Sequence, residues 1–191
     1  MIKIFSIKET KEKNILSLLI FKGEDTSRYI LDSAFVNKMQ LSPGDEITEE
    51  MLSDISARAE YIGAKRRALS ILSYADNSKA TLRQKLRQAG VGRECAERVT
   101  EEMVSLGYIN EDRQLERLVS RLAGESLFGP KKIVARLVSK GYAGASVRQA
   151  MRLLTERGEV DFEESRRLLL EKYGVSDGTE EASKLLYKNG Y

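Results

Sequence analysis

The chain has 191 residues, of which 41% are hydrophobic and 32% are charged, a composition typical of folded soluble proteins. It contains no histidine and one cysteine, which excludes Ser-His-Asp and Cys-His catalysis, a histidine-liganded metal site and an internal disulfide. Because it lacks an 18-residue apolar run and a signal-peptide core, we expect a cytoplasmic protein that does not span a membrane. We expect Cys95 to be a buried structural thiol.

The net charge of +3 is unevenly distributed along the chain. Residues 1–60 contain 8 Lys and Arg against 11 Asp and Glu, whereas residues 65–157 contain 19 against 10. A basic segment of this kind is typical of proteins that bind nucleic acid or an acidic protein groove. The alternative for any single arginine is that it is a good helix former on a solvated helix face, paired with a glutamate.

The first part of the chain is predicted to be β-rich. Residues 2–7 alternate between apolar and polar, residues 15–21 are apolar, and residues 28–31 resume the pattern, which predicts two or three short antiparallel strands. Residues 33–39 are predicted to be a helical turn or irregular. Thr48 is a good N-cap for the first long helix.

From residue 56 onward the apolar spacing predicts helices only. Ser78, Asn110, Asp161 and Thr179 are predicted N-caps, because their short polar side chains accept hydrogen bonds from free backbone N–H groups. The predicted helices cover residues 65–74, 79–90, 93–106, 112–125, 130–141, 145–157, 163–173 and 180–190.

Three of these helices share one pattern, with apolar residues eight and four positions before a terminal glycine. The glycines are Gly90, Gly141 and Gly190, spaced 51 and 49 residues apart. Similarity at a fixed period indicates stacked supersecondary units. We expect left-handed C-caps at Gly90, Gly107, Gly141 and Gly158. We expect aromatic residues to fill the junctions between units, with stacking on bases as the alternative: Tyr74, Tyr108, Phe128 and Tyr142.

The segment FGPKKIVARLVSKG shows the pattern most clearly. Pro130 suits the first helical position, and Ile133 and Leu137 form an apolar stripe. Lys131 and Lys132 lie off this stripe in the first turn, where free N–H groups attract anions. We therefore predict that these two lysines form part of an anion-binding site; the alternative is that they are ordinary solvated lysines.

The predicted fold is mainly α, an elongated right-to-left row of three-helix repeats with a small β-rich N-terminal segment. The β-rich segment covers residues 1–60, and the first and second repeats cover 61–111 and 112–160. An incomplete third repeat covers 161–191, and we expect its last helix to be incompletely packed because a third helix is absent.

This pattern resembles the RecX regulatory proteins, bacterial modulators of the RecA recombinase. The resemblance covers about residues 65–191 and lies in the phrases ALSILSYADNSKATLRQKLRQAG, LGYINEDRQLERLV, FGPKKIVARLVSKGY and LLYKNGY. The first 60 residues match, less distinctively, a β-rich segment that some members have. Two departures are the loop at residues 75–78, which is often more basic in the family, and the absent final helix.

The resemblance implies a function in recombination and the SOS response. A protein of this family binds the RecA filament on DNA and alters its ATPase, strand-exchange and co-protease activities, usually as an inhibitor. From the sequence we expect a monomer without a cofactor or metal. The candidate contacts on the basic helices are Lys65, Arg66, Arg67, Arg83, Lys85, Arg87, Arg113, Arg117, Arg121, Lys131, Lys132, Arg136, Lys140, Arg148 and Arg152.

The same basic helices fit a second hypothesis, a free-standing protein that binds single-stranded or double-stranded DNA, or RNA, without sequence specificity. No helix-turn-helix, zinc or RNP pattern is present. A third hypothesis, an enzyme, is disfavoured, because the acidic pairs are adjacent residues whose side chains diverge by about 100° on a helix. No phosphate-binding loop or dinucleotide-binding motif occurs either.

Overall fold

The structure, a computed structural model, describes residues 1–191. It contains three strands, all before residue 33, and nine helices. The absence of strands after residue 65 confirms the predicted change from β to α structure. The strands are β1 (Ile2–Glu9), β2 (Ile15–Lys22) and β3 (Asp25–Asp32). The helices are α1 (Ser33–Lys38), α2 (Glu49–Tyr74), α3 (Lys79–Gln88), α4 (Arg93–Ser105), α5 (Glu111–Gly124), α6 (Pro130–Ser139), α7 (Gly144–Glu156), α8 (Phe162–Tyr173) and α9 (Glu180–Asn189).

The N-terminal sheet is an antiparallel meander in the order β1-β2-β3. Its alternating sequence places Ile4, Leu18 and Leu31 on one face, where each is fully buried. They form a hydrophobic core with Val36 of α1 and Ile55 of α2. One face of the sheet is therefore covered by the two helices that follow it in the sequence.

Helix α2 is a single helix of 26 residues, so the prediction of a separate helix beginning at Lys65 was wrong. No proline interrupts the segment, and the buried residues Ile55, Ile62 and Ala68 continue along its length. The proposed boundary between residues 60 and 61 therefore falls inside a continuous helix. The segment at 33–39, left open as a turn or irregular, begins with the short helix α1.

The predicted helix caps are confirmed. The side chains of Asn110 and Thr179 accept hydrogen bonds from the first turns of α5 and α9, and Asp161 does the same for α8. The Ser78 hydroxyl accepts a hydrogen bond from Thr81 N at 3.2 Å in α3. Pro130 occupies the first position of α6, and the four glycines predicted as left-handed caps all have positive φ.

A second hydrophobic core lies among α5, α6 and α7. Ile133 and Leu137 of α6 are fully buried there, which confirms the predicted stripe. Tyr142 is 5% exposed, and its hydroxyl donates a hydrogen bond to Gln114 Oε1 at 3.0 Å. Cys95, predicted to be buried, is only half-buried, because Ala96 and Val99 take the inward positions of α4.

The chain divides into two compact units. Unit 1 comprises Met1–Tyr74 and Lys85–Thr100, and unit 2 comprises Ala75–Gln84 and Glu101–Tyr191. In α9, Leu186 is half-buried, whereas the corresponding Leu86 and Leu137 are fully buried. Ala182, the other repeat position of α9, is 1% exposed and as buried as Leu82 and Ile133, so only one of the two positions is packed less completely. None of the helices has the length and apolar content needed to cross a membrane.

Candidate basic binding surface

Helix α5 carries an arginine on every fourth residue of its exposed face. Arg113, Arg117 and Arg121 are exposed, whereas Leu115 and Val119 on the opposite side are buried. Spacing of four places the arginines in one row about 12 Å long. Arg117 forms an ion pair with Asp76, so the guanidinium groups at the two ends of this row are the ones left without a carboxylate partner.

The N-terminus of α6 is occupied by the C-terminus of α9. Gly129 N donates a hydrogen bond to Asn189 O at 2.8 Å, and Lys131 N donates one to Gly190 O at 3.1 Å. The prediction of free N–H groups for an anion at this position was therefore wrong. The carbonyl groups at the end of one helix satisfy the N–H groups at the start of the other, with favourable alignment of their dipoles.

The two lysines of this first turn also bind α9. Lys131 Nζ donates to Tyr191 O at 3.2 Å, and Lys132 Nζ donates to Asn189 Oδ1 at 3.0 Å. Lys132 is half-buried and lies 4.0 Å above the Phe128 ring. Burial lowers the pKa of Lys132, and the neighbouring charges of Lys188 and Arg136 lower it further. Lys132 is thus a packing residue of the α6–α9 junction rather than a solvated cation.

A related junction joins the end of α6 to the start of α3. The hydroxyl groups of Ser78 and Thr81 both donate to Lys140 O, at 2.9 and 2.8 Å. Gly141 lies directly against them, because a Cβ at this position would stand 2.7 Å from Ser78 Oγ. The Lys140 side chain remains exposed and forms no ion pair, while its backbone carbonyl completes the junction.

In unit 1, most of the candidate cations have partners. Arg66 pairs with Glu12 at 2.5 Å, and Arg67 donates to Ala89 O at 3.1 Å, which caps the end of α3. Lys65 and Lys85 also interact with neighbouring groups, as does Arg83 in unit 2. Arg87 is exposed without an ion pair.

Helix α7 and the middle of α6 supply the remaining candidates. Arg148 and Arg152 are exposed one turn apart on α7, and Arg152 pairs with Glu156 at 3.5 Å. Arg136 is exposed, with its guanidinium 5.8 Å from the centre of the Phe128 ring. Among the candidate residues of unit 2, four exposed cations therefore have no ion pair, aromatic contact or side-chain hydrogen bond. We call them the open cations: Arg113, Arg121, Lys140 and Arg148.

The aromatic residues do not all fill junctions as predicted. Tyr142 is buried and Phe128 is half-buried, but Tyr74 is 89% exposed and Tyr108 is 55% exposed. The prediction was wrong for these two tyrosines, because both lie at or just beyond a helix end, where the chain turns away from the core. Exposed tyrosine rings are available to stack on bases or pack against a partner protein.

Several cations that hold the structure together were not identified from the sequence. Arg98 lies 4.1 Å from the centre of the Tyr61 ring, and Arg58 pairs with Asp32 at 2.6 Å. Burial opposes ionisation of Asp32, but hydrogen bonds from Arg58 and from Phe35 N outweigh it and lower the pKa of the carboxyl group. The sequence contains no local signal for these pairs, because Arg58 and Asp32 are 26 residues apart.

The chemistry available on this surface is ionic binding. The structure contains no group of three or more Cys, Asp and Glu residues that could hold a metal ion. Burial raises the pKa of the Cys95 thiol, and the charge of Glu60 raises it further, which disfavours the nucleophilic thiolate. The open cations suit partners that present phosphate or carboxylate groups, because arginine binds both with paired N–H donors.

Comparison with known proteins supports one family. The family model described as "RecX, first three-helix domain" matches residues 64–103. Regulatory protein RecX of Pseudomonas putida is 30% identical over 106 residues, which cover 56% of this chain and 71% of the relative. Regulatory protein RecX of Clostridioides difficile is 30% identical over 138 residues, 72% of this chain. The match spans 64% of the length of the Clostridioides difficile protein.

Two solved structures have the same fold. A crystal structure of regulatory protein RecX superposes with a TM-score of 0.71 at 18% identity, covering 100% of this chain and 95% of the other. RecX from Lactobacillus salivarius superposes with a TM-score of 0.57 at 22% identity, covering 69% and 88%. With the three-helix pattern and the sequence identity to curated relatives, these findings show that the chain belongs to the RecX family of regulatory proteins.

Proposed function

We propose that this RecX-family protein binds the RecA filament on DNA and inhibits its ATPase, strand-exchange and co-protease activities. The observation that carries the proposal is the set of open cations on unit 2, Arg113, Arg121, Lys140 and Arg148, which are exposed and without carboxylate partners. A nucleoprotein filament presents both phosphates and protein carboxylates to such groups. The protein would act as a cytoplasmic regulator of recombination and the SOS response, without chemistry of its own.

Inhibition follows from binding to more than one filament subunit. We expect inhibition where ATP turnover moves the filament subunits relative to one another, because a ligand shifts such an equilibrium by its differential affinity for the two arrangements. A protein that contacts neighbouring subunits in one arrangement therefore opposes the other. The open cations provide such contacts without first having to break an ion pair within the protein.

The test is RecA ATPase on single-stranded DNA, titrated with wild-type protein and with Arg113→Glu/Arg121→Glu. We expect the half-inhibitory concentration to rise about fivefold to tenfold, because two exposed ionic contacts of up to about 1 kcal/mol each are lost and reversed. The matched control is Lys38→Glu/Lys172→Glu, which makes the same charge change at exposed lysines in the last turns of α1 and α8.

Thermal melting must show that both double variants are folded. Equal inhibition by Arg113→Glu/Arg121→Glu and wild type would contradict the role of α5, and the absence of any inhibition by wild type would contradict the proposed function. The control should inhibit like wild type if position rather than net charge decides binding.

A second candidate is a free-standing protein that binds nucleic acid without sequence specificity. The exposed Tyr74 and Tyr108 favour it, since such rings stack on bases. Binding to DNA in the absence of RecA distinguishes the two functions. Submicromolar affinity with a steep salt dependence would favour the second candidate, whereas weak DNA binding with strong ATPase inhibition would favour the first.

A further inference from the structure

The three-stranded sheet has one face that no helix covers. Residues whose side chains alternate away from the core lie on this outer sheet face, and they are absent from the hydrophobic core of unit 1. Among them, Leu19 and Ile30 are half-buried in the sheet surface, and Phe5 is 60% exposed. The residues that define the outer sheet face in this argument are Phe5, Lys8, Leu19, Phe21, Arg28 and Ile30.

The strand register brings these residues into neighbouring rows. Leu19 of β2 lies opposite Arg28 of β3, and Lys8 of β1 lies opposite Ser17 of β2, which in turn faces Ile30. Along β2, the distance from Ser17 to Phe21 is about 14 Å. Across the sheet, the distance from β1 to β3 is about 10 Å. The outer sheet face is thus large enough for two or three stacked bases.

Phe5 lies at an irregularity of the ladder, where the register shifts between Ile4 and Ser6. A bulge of this kind inserts an extra residue and redirects its side chain. The Phe5 ring reaches the Phe21 ring with a centroid distance of 4.9 Å and an interplanar angle of 54°. The pair leaves most of the Phe5 side chain in contact with solvent, which is the arrangement that a stacking platform requires.

The charges of the outer sheet face are positive. Lys8 and Arg28 are exposed and form no ion pair. Lys22 pairs with Glu49 of α2, on the covered side. Two carboxylates lie at the rim. Glu46 lies opposite Lys3, and Asp32, at the end of β3 opposite Ile15, is paired with Arg58 of α2. Although residues 1–60 contain 11 acidic residues, the centre of this face contains none.

We propose that the outer sheet face binds single-stranded nucleic acid, with a base stacked on Phe5 and with Lys8 and Arg28 in contact with phosphates. An exposed aromatic ring on the same sheet face as two cations without ion pairs suits an unstacked, anionic strand. A second copy of this chain is disfavoured as the occupant, because pairing two such faces would bring their unpaired cations together. The proposal does not depend on the open cations of unit 2.

The first experiment measures binding of fluorescein-labelled dT15 by anisotropy, with wild type, Phe5→Leu and Phe5→Trp. Leucine keeps the face apolar but removes the aromatic ring, so we expect affinity to fall about fivefold or more. Tryptophan should restore it. Tyr187→Leu, which removes an 84% exposed ring from α9, is the control and should bind like wild type. Each variant is also measured in combination with Arg113→Glu/Arg121→Glu, which distinguishes binding at the outer sheet face from binding at the basic helices.

The second experiment tests the cations with Lys8→Gln/Arg28→Gln across a salt series. Loss of two phosphate contacts should reduce the slope of log K against log salt by about 1.4. Lys38→Gln/Lys172→Gln, with the same charge change, should leave the slope unchanged. A duplex of the same length should compete poorly against dT15, because its bases are already stacked.

Three results would overturn the proposal. The first is unchanged dT15 affinity of both Phe5→Leu and Lys8→Gln/Arg28→Gln. The second is photocrosslinking of iodouracil-substituted dT15 that yields no peptide from β1 or β2. The third is a wild-type dimer that Phe5→Leu or Lys8→Gln/Arg28→Gln converts to a monomer, which would make the face a contact between two copies of the chain.

Discussion

Gly141 combines two requirements that are separate at other glycines. Its φ of +84° is left-handed, and a Cβ would lie 2.7 Å from Ser78 Oγ. Gly158 has a φ of +72° with no atom within 4 Å of a Cβ position. We expect Gly158→Val to lower the free energy of unfolding by about 1–2 kcal/mol through backbone strain alone.

Gly141→Val should lower the free energy of unfolding by at least about 1 kcal/mol more than Gly158→Val does, because the valine side chain would also overpack the α6–α3 junction. Urea unfolding followed by circular dichroism measures both variants. Equal costs for the two substitutions would show that the hydroxyl groups of Ser78 and Thr81 move aside without penalty.

Tyr191 is predicted to lower the free energy of unfolding as the pH rises above 10. Burial raises the pKa of Tyr191 from 10.0 to about 12, although a hydrogen bond with Ser165 lowers it in part. The unfolded state therefore loses this proton first, so the contribution is fully present below pH 10 and is lost as pH rises toward 12. Tyr191→Phe should lose less stability than wild type between pH 10 and 12 in urea titrations. Tyr187→Phe, at an 84% exposed residue, should follow wild type.

At the residue scale, the sequence predicts features whose cause is local. Cap residues such as Asn110 and Gly158 act within a few residues of their own position, so their spacing is visible in the sequence. Lys132 could not be assigned in this way, because its partner Asn189 is 57 residues away. A lysine beside a helix N-terminus looks the same in the sequence whether it faces solvent or another helix.

At the scale of the helices, Gly129 shows how closely α6 and α9 approach. Its φ of −73° is ordinary for any residue, but a Cβ would stand 2.5 Å from the backbone carbonyl group of Gly190. Gly129→Ala should therefore separate the two helices and speed amide hydrogen exchange in α9. Gly124→Ala is the control, because no atom lies within 4 Å of a Cβ there. It should be neutral or stabilise α5 by up to about 1 kcal/mol.

If amide hydrogen exchange in α9 were the same for Gly129→Ala and wild type, a small movement of the helix would be enough to accommodate the added methyl group. Mass spectrometry of peptides from α5 and α9 in the same sample provides the internal reference. The prediction concerns the difference in exchange rate between the α5 and α9 peptides. A general loss of stability would speed exchange in both peptides and would not produce this difference.

Element types were predictable because the apolar spacing changes from two to about four residues near Thr48. The length of α2 was not predictable, because the burial of Ile62 and Ala64, which joins the two predicted helices into one, depends on the folded chain. For the candidate surface, the cations themselves were found from the sequence. Which of them are open depends on the positions of Asp76, Glu156 and other carboxylates, which only the folded chain determines.

For the whole molecule, the two hydrophobic cores share no residue. Leu18 and Ile133 are both fully buried, one in each core. Leu18→Ala and Ile133→Ala should each cost about 2–5 kcal/mol. We expect Leu18→Ala to speed hydrogen exchange in β1–β3 and Ile133→Ala to speed it in α5–α7, with additive effects in the double variant.

If either single variant lost protection from hydrogen exchange equally in β1–β3 and in α5–α7, the prediction would be contradicted. That result would indicate one cooperative folding unit. A control substitution at the exposed Val138 (46% exposed), Val138→Ala, should change exchange in neither region. The comparison requires native conditions, in which partial opening of each region is measured separately.

The two junctions of α6 have a consequence for folding during synthesis. Ser78 donates to a carbonyl 62 residues later in the chain, and Gly129 binds Asn189 at the end of α9. At about 5–20 residues per second, a ribosome needs about 3–12 s to supply each partner. The start of each of these helices therefore lacks its partner until about 60 further residues have been synthesised, so the Ser78 junction can form before the Gly129 junction.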